Sequence, residues 1–508
     1  MIIVVDFGSQ TANLIERRIK DLGATTLFLP PDGAIVQIKK LRPDGIILSG
    51  GPSSVYGSDS PTIDSAIFKM GIPILAICYG MQLMMQLHGG EIISGKKEYG
   101  PSTLHMAHGE WHMAKGIQGE SIVWMSHGDE VVRLPDGFEV LGSTEHVPFA
   151  FVANEKERLY GLLFHPEVEH TQMGDIFLQN FITLTKTKVA KQKIDTQKII
   201  DELREVVGED YVIGAVSGGV DSTVAGALVA KAIGPQFIPF FVDNGLMRIG
   251  TGDTVKKIFE HIGVKAQIIK CEKEMLELLK GVTDPEKKRK IIGGFYIKVF
   301  EREMTKLIKS GKSVKFLLQG TIYSDVIESK GTKHSSKIKS HHNVGGLPKN
   351  MKLKLLEPLR TFYKDEVRQI GSQLGLPDEF VWQQVFPGPG YGVRIRGEVT
   401  KDRLKKERIA DAIVLEEIIK AGLFRKVFMS FAIMSGADST AVKGDGRFFG
   451  EVVAVRVVES RDVMTSKWAH LPYEVLQNIS SRIVNEVPGI SRVVYDITTK
   501  PPATMEWE

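Results

Sequence analysis

The sequence predicts two successive doubly wound α/β domains followed by a smaller α+β domain. Three observations lead there. Short apolar runs alternate with helix-period stretches through most of the 508 residues, the pattern of parallel α/β sheets. Twice, in ILAICYGMQLM and in VIGAVSGGVDST, a strand-like run breaks at a glycine-containing turn and restarts as a helix. Finally, FPGPGYG sets two prolines and three glycines in seven residues and ends the alternation, marking irregular backbone.

Taken in order, Ile2–Asp6, Gly45–Ser49, Ile74–Cys78, Ile122–Ser126 and Leu159–His165 read as buried strands of a first parallel series. A Lys- and Thr-rich stretch over 183–198 reads as a linker with a solvated charge run. Tyr211–Val216, Gln236–Val242, Ala266–Lys270 and Phe316–Gly320 form a second series. Beyond residue 386 come a strand at Gly450–Val458, an amphipathic helix at Pro472–Asn485 and a strand at Arg492–Thr498. The expected domains are therefore 1–188, 195–385 and 386–508. The basic run Lys401–Arg408 reads as a solvated helix face.

Composition narrows the functions. Hydrophobic content of 43% and charged content of 25% fit a soluble globular protein. A net charge of +4 makes no case for nucleic acid or membrane partners. Two cysteines, Cys78 and Cys271, exclude a disulfide framework and a multi-cysteine zinc site. Met1 leads straight into an apolar strand, and no apolar run approaches the roughly 20 residues of a membrane span. A cytoplasmic location is expected.

Cys78 ends a strand and is followed by Tyr79–Gly80 and a helical pattern. Such a turn lifts a nucleophile out of the backbone, and a helix N-terminus favours thiolate. A small buried hydrophobe is the alternative. In LFHPEV, His165 can take and return the thiol proton while Glu167 orients the ring; a core histidine and a surface carboxylate are the alternatives. Gly50 and Gly51 in ILSGGPSSVY can aim N–H groups at an oxyanion, with the N–H of Tyr79 as a second donor.

These segments, with DFGSQ, EYGP (Glu98–Pro101) and SHGDEV (Ser126–Val131), resemble the triad-type, class I glutamine amidotransferases over about residues 1–185. The resemblance implies that Cys78 attacks the glutamine amide, His165 is the acid–base and Glu167 the orienter. It places glutamine near Gly51, Gln82, Ser126 and His127. Ala76 stands where that family often has glycine.

The second turn, Ser217–Ser222, offers an anion nest from the N–H groups of Gly218, Gly219 and Val220, with hydroxyls from Ser217 and Ser222. Asp221 lies in the first helical turn, suited to holding Mg²⁺ against phosphates. No Gly-Lys-Ser/Thr follows, so this is not a Walker A loop, and a plain βα connection is the alternative. SGGVDS resembles the loop of the N-type ATP pyrophosphatases, which cut ATP between the α and β phosphates. Asp243 ends the next strand, about 20 residues on, where a ribose or adenine edge lies in a doubly wound sheet.

The remaining motifs, LLQGTIYSDVIES, KSHHNVGGLP, LLEPLR, FPGPG and DITTKPPATMEWE, are similar to the glutamine-hydrolysing GMP synthases from end to end. That resemblance implies ATP and Mg²⁺, and XMP as acceptor through an adenylyl intermediate. It implies a homodimer formed by the C-terminal domain. It places Thr321 and Asp325 near the ATP, Lys339, His341, His342 and Asn343 in a lid, and Gly388, Pro389, Lys500, Pro501, Thr504 and Glu506 at the XMP. Ser324 replaces the family's usual proline, and the segments 433–447 and 461–468 depart from its pattern. A glutamine-dependent NAD synthetase and a catalytically silent scaffold are the competing readings.

Overall fold

A computed structural model describes the chain except at residues 10, 110, 118, 191–193, 324, 327–352, 461–464 and 501, and except for the side chains of residues 96 and 443. The lid residues Lys339, His341, His342 and Asn343, together with Ser324 and Pro501, lie outside the described residues. Contacts divide the chain into two compact units, one built on Met1–Lys193 and the other on the chain from Ile194 onward. The boundary falls within the expected linker.

The first unit begins β1 (Ile2–Val5), α1 (Ala12–Asp21), β2 (Thr26–Leu29), α2 (Ala34–Leu41), β3 (Gly45–Leu48), β4 (Ile74–Ile77), α3 (Tyr79–Leu87). It continues β5 (Glu91–Met106), β6 (Glu120–Arg133), β7 (Glu139–Ser143), β8 (Phe151–Asn154), β9 (Leu159–Leu162), α4 (Gly174–Leu184). The sheet order is β2-β1-β3-β4-β9-β8-β7-β5-β6. The four residues of β1, β3, β4 and β9 are all buried, as expected of parallel strands covered on both faces. Only the β2-to-β9 half is parallel; β8, β7, β5 and β6 join antiparallel. The expected parallel strand at Ile122–Ser126 is thus part of β6, in the antiparallel half. An apolar run shows burial but not strand direction.

The second unit holds α5 (Thr196–Val207), β10 (Tyr211–Ala215), α6 (Val220–Ile233), β11 (Phe237–Asp243), α7 (Thr251–His261), β12 (Gln267–Lys270), α8 (Glu272–Leu279), α9 (Pro285–Lys309), β13 (Val314–Leu318) and β14 (Lys354–Leu356). Its sheet is parallel throughout, in the order β12-β11-β10-β13-β14. The strand order therefore reverses between β10 and β13, and such a switch point opens a crevice at the strands' carboxyl ends.

There follow α10 (Lys364–Gln373), α11 (Asp378–Val381), α12 (Lys401–Lys420), β15 (Met429–Lys443), β16 (Gly446–Glu459), β17 (Lys467–Trp468), α13 (Tyr473–Glu486) and β18 (Ile490–Tyr495). β16 pairs antiparallel with β15 and β17 and parallel with β18. One hydrophobic cluster runs from Ile213 and Phe240 to Val453 and Ile490, so both sheets of this unit share a core. The basic run on α12 is not a solvated face. Arg403 and Lys406 pair with Glu451, and Arg408 donates to the carbonyl of Gly245.

Candidate active site

In the first unit, the C-terminal ends of β1, β3, β4 and β9 converge. β4 pairs in register with β9, Ile77 opposite Leu162, so Cys78 and His165 leave the sheet from adjacent strands. Cys78 has φ 49° and ψ −108°, a left-handed backbone that a non-glycine residue adopts only where the surroundings hold it. Its N–H donates to Leu162 O at 2.7 Å, and the next turn is fixed by Gly80 N–H donating to Ser49 O at 3.1 Å. A Cβ on Gly80 would stand 2.6 Å from Leu48 O, so the helix approaches β3 only through glycine.

His165 Nδ1–H donates to Glu167 Oε1 at 2.7 Å, and Glu167 is fully buried. That bond fixes the tautomer, leaving the other ring nitrogen for the thiol. Burial alone would depress the imidazole. The Glu167 carboxylate and the adjacent Cys78 overcome it and raise the His165 pKa well above its ordinary value. Thr11 Oγ1 also donates to Glu167 Oε1, at 2.7 Å, and Arg18 Nε donates to the Glu167 carbonyl at 3.1 Å. Gly50 lies against the pair: a Cβ there would be 3.1 Å from His165 Cε1 and 3.7 Å from Cys78 Cβ. Tyr79 opens α3, where N–H groups have no intrahelical acceptor.

Cys78 Sγ reaches Ser126 O at 3.5 Å. Gln82 Nε2, on α3, donates to Asp129 O at 2.8 Å and anchors the strand that carries Ser126, while His127 Nδ1 donates to the same oxygen at 3.0 Å within that strand. The other cysteine differs in kind. Burial, with help from Glu274, pushes the Cys271 thiol up to about 11.

In the second unit, Ser217–Ser222 joins β10 to α6 at the switch point. Ser222 Oγ accepts from Ser217 N–H at 3.1 Å and lies 2.9 Å from Ser217 Oγ; Gly219 N–H donates to Ser217 Oγ at 3.3 Å. Gly218 has φ +80°. The end of β13 closes on this turn, for a Cβ on Gly320 would be 2.7 Å from Ser222 Cα. Thr321 is buried there, and Asp325 Oδ2 accepts from Ile322 N–H at 3.1 Å. Asp243 ends β11, the strand next to β10. Both oxygens of Asp221 accept from Lys364 Nζ at 2.8 Å. Lys364 escaped sequence reasoning because it sits in an ordinary helical pattern without a motif.

Gly390 follows Gly388 and Pro389 at φ +60°, and a Cβ there would meet Leu246 O at 2.2 Å. The FPGPG turn is thereby held against the segment after β11. Glu506 accepts from Arg394 Nε and Nη2 at 3.1 and 3.0 Å, and Arg394 also meets Asp411 at 3.3 Å. Arg456 donates to Asp496 and to the carbonyls of Thr498, Thr504 and Met505. Lys500 exchanges backbone hydrogen bonds with Ser466. Both arginines are fully buried. No local pattern in the sequence marked them.

Residues 3–184 match the family model for class I glutamine amidotransferases, and residues 416–507 match that for the GMP synthase C-terminal domain. The glutamine-hydrolysing GMP synthase of Aquifex aeolicus is 49% identical over 510 residues, covering 100% of this chain and 99% of its own length. Those of Lactobacillus acidophilus and Candida glabrata are 49% and 48% identical, each over 100% of this chain and 98% of theirs. A buried Cys–His–Glu set at the strand ends of one sheet, a glycine turn at the switch point of another, and full-length likeness to one group of enzymes agree: the chain belongs to the glutamine-hydrolysing GMP synthase family.

Proposed function

We propose that this chain makes GMP from XMP, ATP and glutamine, with residues 1–188 as glutaminase, 195–385 as ATP pyrophosphatase and 386–508 as XMP-binding and dimer-forming domain. Cys78 thiolate attacks the glutamine side-chain carbon. The N–H groups of Gly50, Gly51 and Tyr79 take the oxyanion, and His165 gives its proton to the departing ammonia. Water then cleaves the glutamyl thioester to glutamate. Gln82, Ser126 and His127 shape the glutamine pocket. The observation that carries the reading is the Cys78–His165–Glu167 geometry, in which a buried carboxylate keeps the imidazole charged beside the thiol.

At the second site the XMP C2 oxygen attacks the α-phosphorus of ATP and pyrophosphate leaves. Ammonia then displaces AMP at C2. Ser217, Gly218, Gly219, Val220 and Ser222 cradle phosphate, and Asp243, Thr321 and Asp325 border the nucleotide. Gly388, Pro389, Lys500, Thr504 and Glu506 border XMP. Asp221 would hold Mg²⁺. It already carries a cation, the Lys364 ammonium, on both oxygens, and Mg²⁺ ordinarily takes one or two carboxylates plus substrate phosphates. The ion would offset charge on the leaving pyrophosphate. Among the described residues no helix is long and apolar enough to cross a membrane, and a cytoplasmic homodimer is the proposed form.

The test supplies purified protein with ATP, Mg²⁺ and XMP, using glutamine or ammonium in parallel. GMP formed one-for-one with AMP and pyrophosphate from both sources is expected. Cys78→Ala should abolish the glutamine-driven reaction and spare the ammonium-driven one. Loss of both in folded protein would overturn the division of labour.

A further inference from the structure

Residues between α11 and the FPGPG turn help to wall a small cavity. It measures about 120 Å³ and is lined in part by Arg368, Trp382, Gln384, Phe424, Arg425 and Lys426. Three of these side chains are cations, and no carboxylate is among the lining residues. Ligand pockets for drug-sized molecules run from about 300 Å³, so this space suits a small group rather than a whole nucleotide.

Two buried donors here lack acceptors among the described residues: Arg368 Nε and Gln384 Nε2. The Gln384 amide cannot be turned round. Its Oε1 receives both the N–H and the hydroxyl of Ser430 at 2.8 Å, which fixes the NH₂ group on the other side. Gln384 is only 5% exposed, and an unmet buried donor costs on the order of 1–3 kcal/mol. The Arg368 guanidinium stacks over Trp382, 5.2 Å from the ring centroid, with Arg425 also over that ring at 5.7 Å. Of the carboxylates near these cations, Asp365 is exposed. Asp221 is held by Lys364, and Asp378 meets Arg425 at 3.5 Å on the surface.

We propose that this cavity binds a phosphate-type oxyanion, apart from the Ser217–Ser222 turn. An oxyanion there answers the positive charge of Arg368, Arg425 and Lys426, which no lining carboxylate balances. The cavity wall is also tied to the turn, since Gln383 Nε2 donates to Gly218 O at 2.9 Å and Arg368 Nη2 to Gln383 O at 3.4 Å. Occupancy therefore stiffens the segment that holds the turn's glycine. The anion is either free phosphate or the phosphate of a nucleotide whose remainder lies outside the cavity.

Equilibrium dialysis of labelled inorganic phosphate onto the full chain tests this, at fixed ionic strength and with the turn saturated by α,β-methylene-ATP and Mg²⁺. One phosphate per chain is expected to persist. Arg425→Ser with Lys426→Ser, both exposed positions, should weaken it by about tenfold or more. Added XMP separates the sources: displacement identifies a nucleotide phosphate, and no effect identifies free phosphate, the site standing in either case. Binding no greater than in a chloride control, or binding unchanged in the double variant, would overturn the proposal. The assay needs no turnover, so its failure is distinct from failure of the synthetic reading.

Discussion

The hydroxyl of Thr11 donates to Glu167 Oε1 at 2.7 Å, the same oxygen that receives the His165 Nδ1 proton. Thr11 is the N-cap of α1, yet its side chain makes no capping bond to that helix. A threonine so placed ordinarily contributes about 1 kcal/mol by capping. Here the hydroxyl is turned to the carboxylate instead, where it blocks rotation about the Glu167 side chain. Thr11, Glu167, His165 and Cys78 thus form one connected set.

Thr11→Val should therefore lower glutaminase kcat with little change in KM for glutamine. A bond to a charged acceptor contributes about 1.5–3 kcal/mol, so a fall of roughly 10- to 100-fold is expected. Thr11→Ser should restore most of it, and ammonium-driven synthesis should be untouched. An unaltered kcat in the valine variant would remove Thr11 from the set.

Gly50→Ala probes how tightly the base is seated. The added methyl would press His165 Cε1 from 3.1 Å, so the ring must shift by a few tenths of an ångström. Misplacements of about 1 Å cost about 100-fold, and a loss of about tenfold is expected here with the thermal midpoint nearly unchanged. Steady-state glutaminase assays decide it. Full activity would mean that the ring has slack the geometry does not show.

Lys364→Met should spare glutaminase and remove synthesis from both nitrogen sources. The ammonium occupies both oxygens of Asp221, so its loss leaves a carboxylate uncompensated beside the phosphate turn. A fall of 100-fold or more, about 2.7 kcal/mol, is expected. Comparable loss of glutaminase would show that the substitution acts on the fold instead.

Glu407 gives a pH signature to the second unit. It is fully buried. Burial first, and then Asp411, raises its pKa well above 4.5, with Arg394 offsetting only part. The folded chain thus binds a proton that the unfolded chain releases above about pH 4.5. Stability from this group is full below that pH and declines as pH rises toward the folded pKa, by up to about 1.4 kcal/mol per pH unit. Glu407→Gln should flatten this decline and match or exceed the parent's thermal midpoint at pH 8. Parallel midpoint curves from pH 5 to 9 would contradict a protonated Glu407.

The Cys78 turn was legible as strand, turn and helix because everything that makes it is local: an apolar run, one cysteine, and a glycine two residues on. The Ser217–Ser222 turn was legible as strand, turn and helix for the same reason. Thr11 and Glu167 stand far apart in the chain and meet only because β1 and β9 end at the same edge. Lys364 and Asp221 are likewise joined by the parallel order of one sheet. The direction of the strand containing Ile122–Ser126 was hidden, since a short buried apolar run reads alike in either sense. Arg403 and Lys406 looked solvated because their partner Glu451 lies on a distant strand.

Arg456 gathers Asp496, Thr498, Thr504 and Met505 around one guanidinium planted on β16. Contacts that span such stretches of chain must wait for the loop between them to close, and distant pairings form slowly. During refolding, β15 and β16 can zip along their shared turn long before this arginine finds its carbonyls. The segment that carries Lys500, Thr504 and Glu506 then settles after that hairpin. A chain can regain the β15–β16 ribbon while the segment bordering its second site is still unsettled.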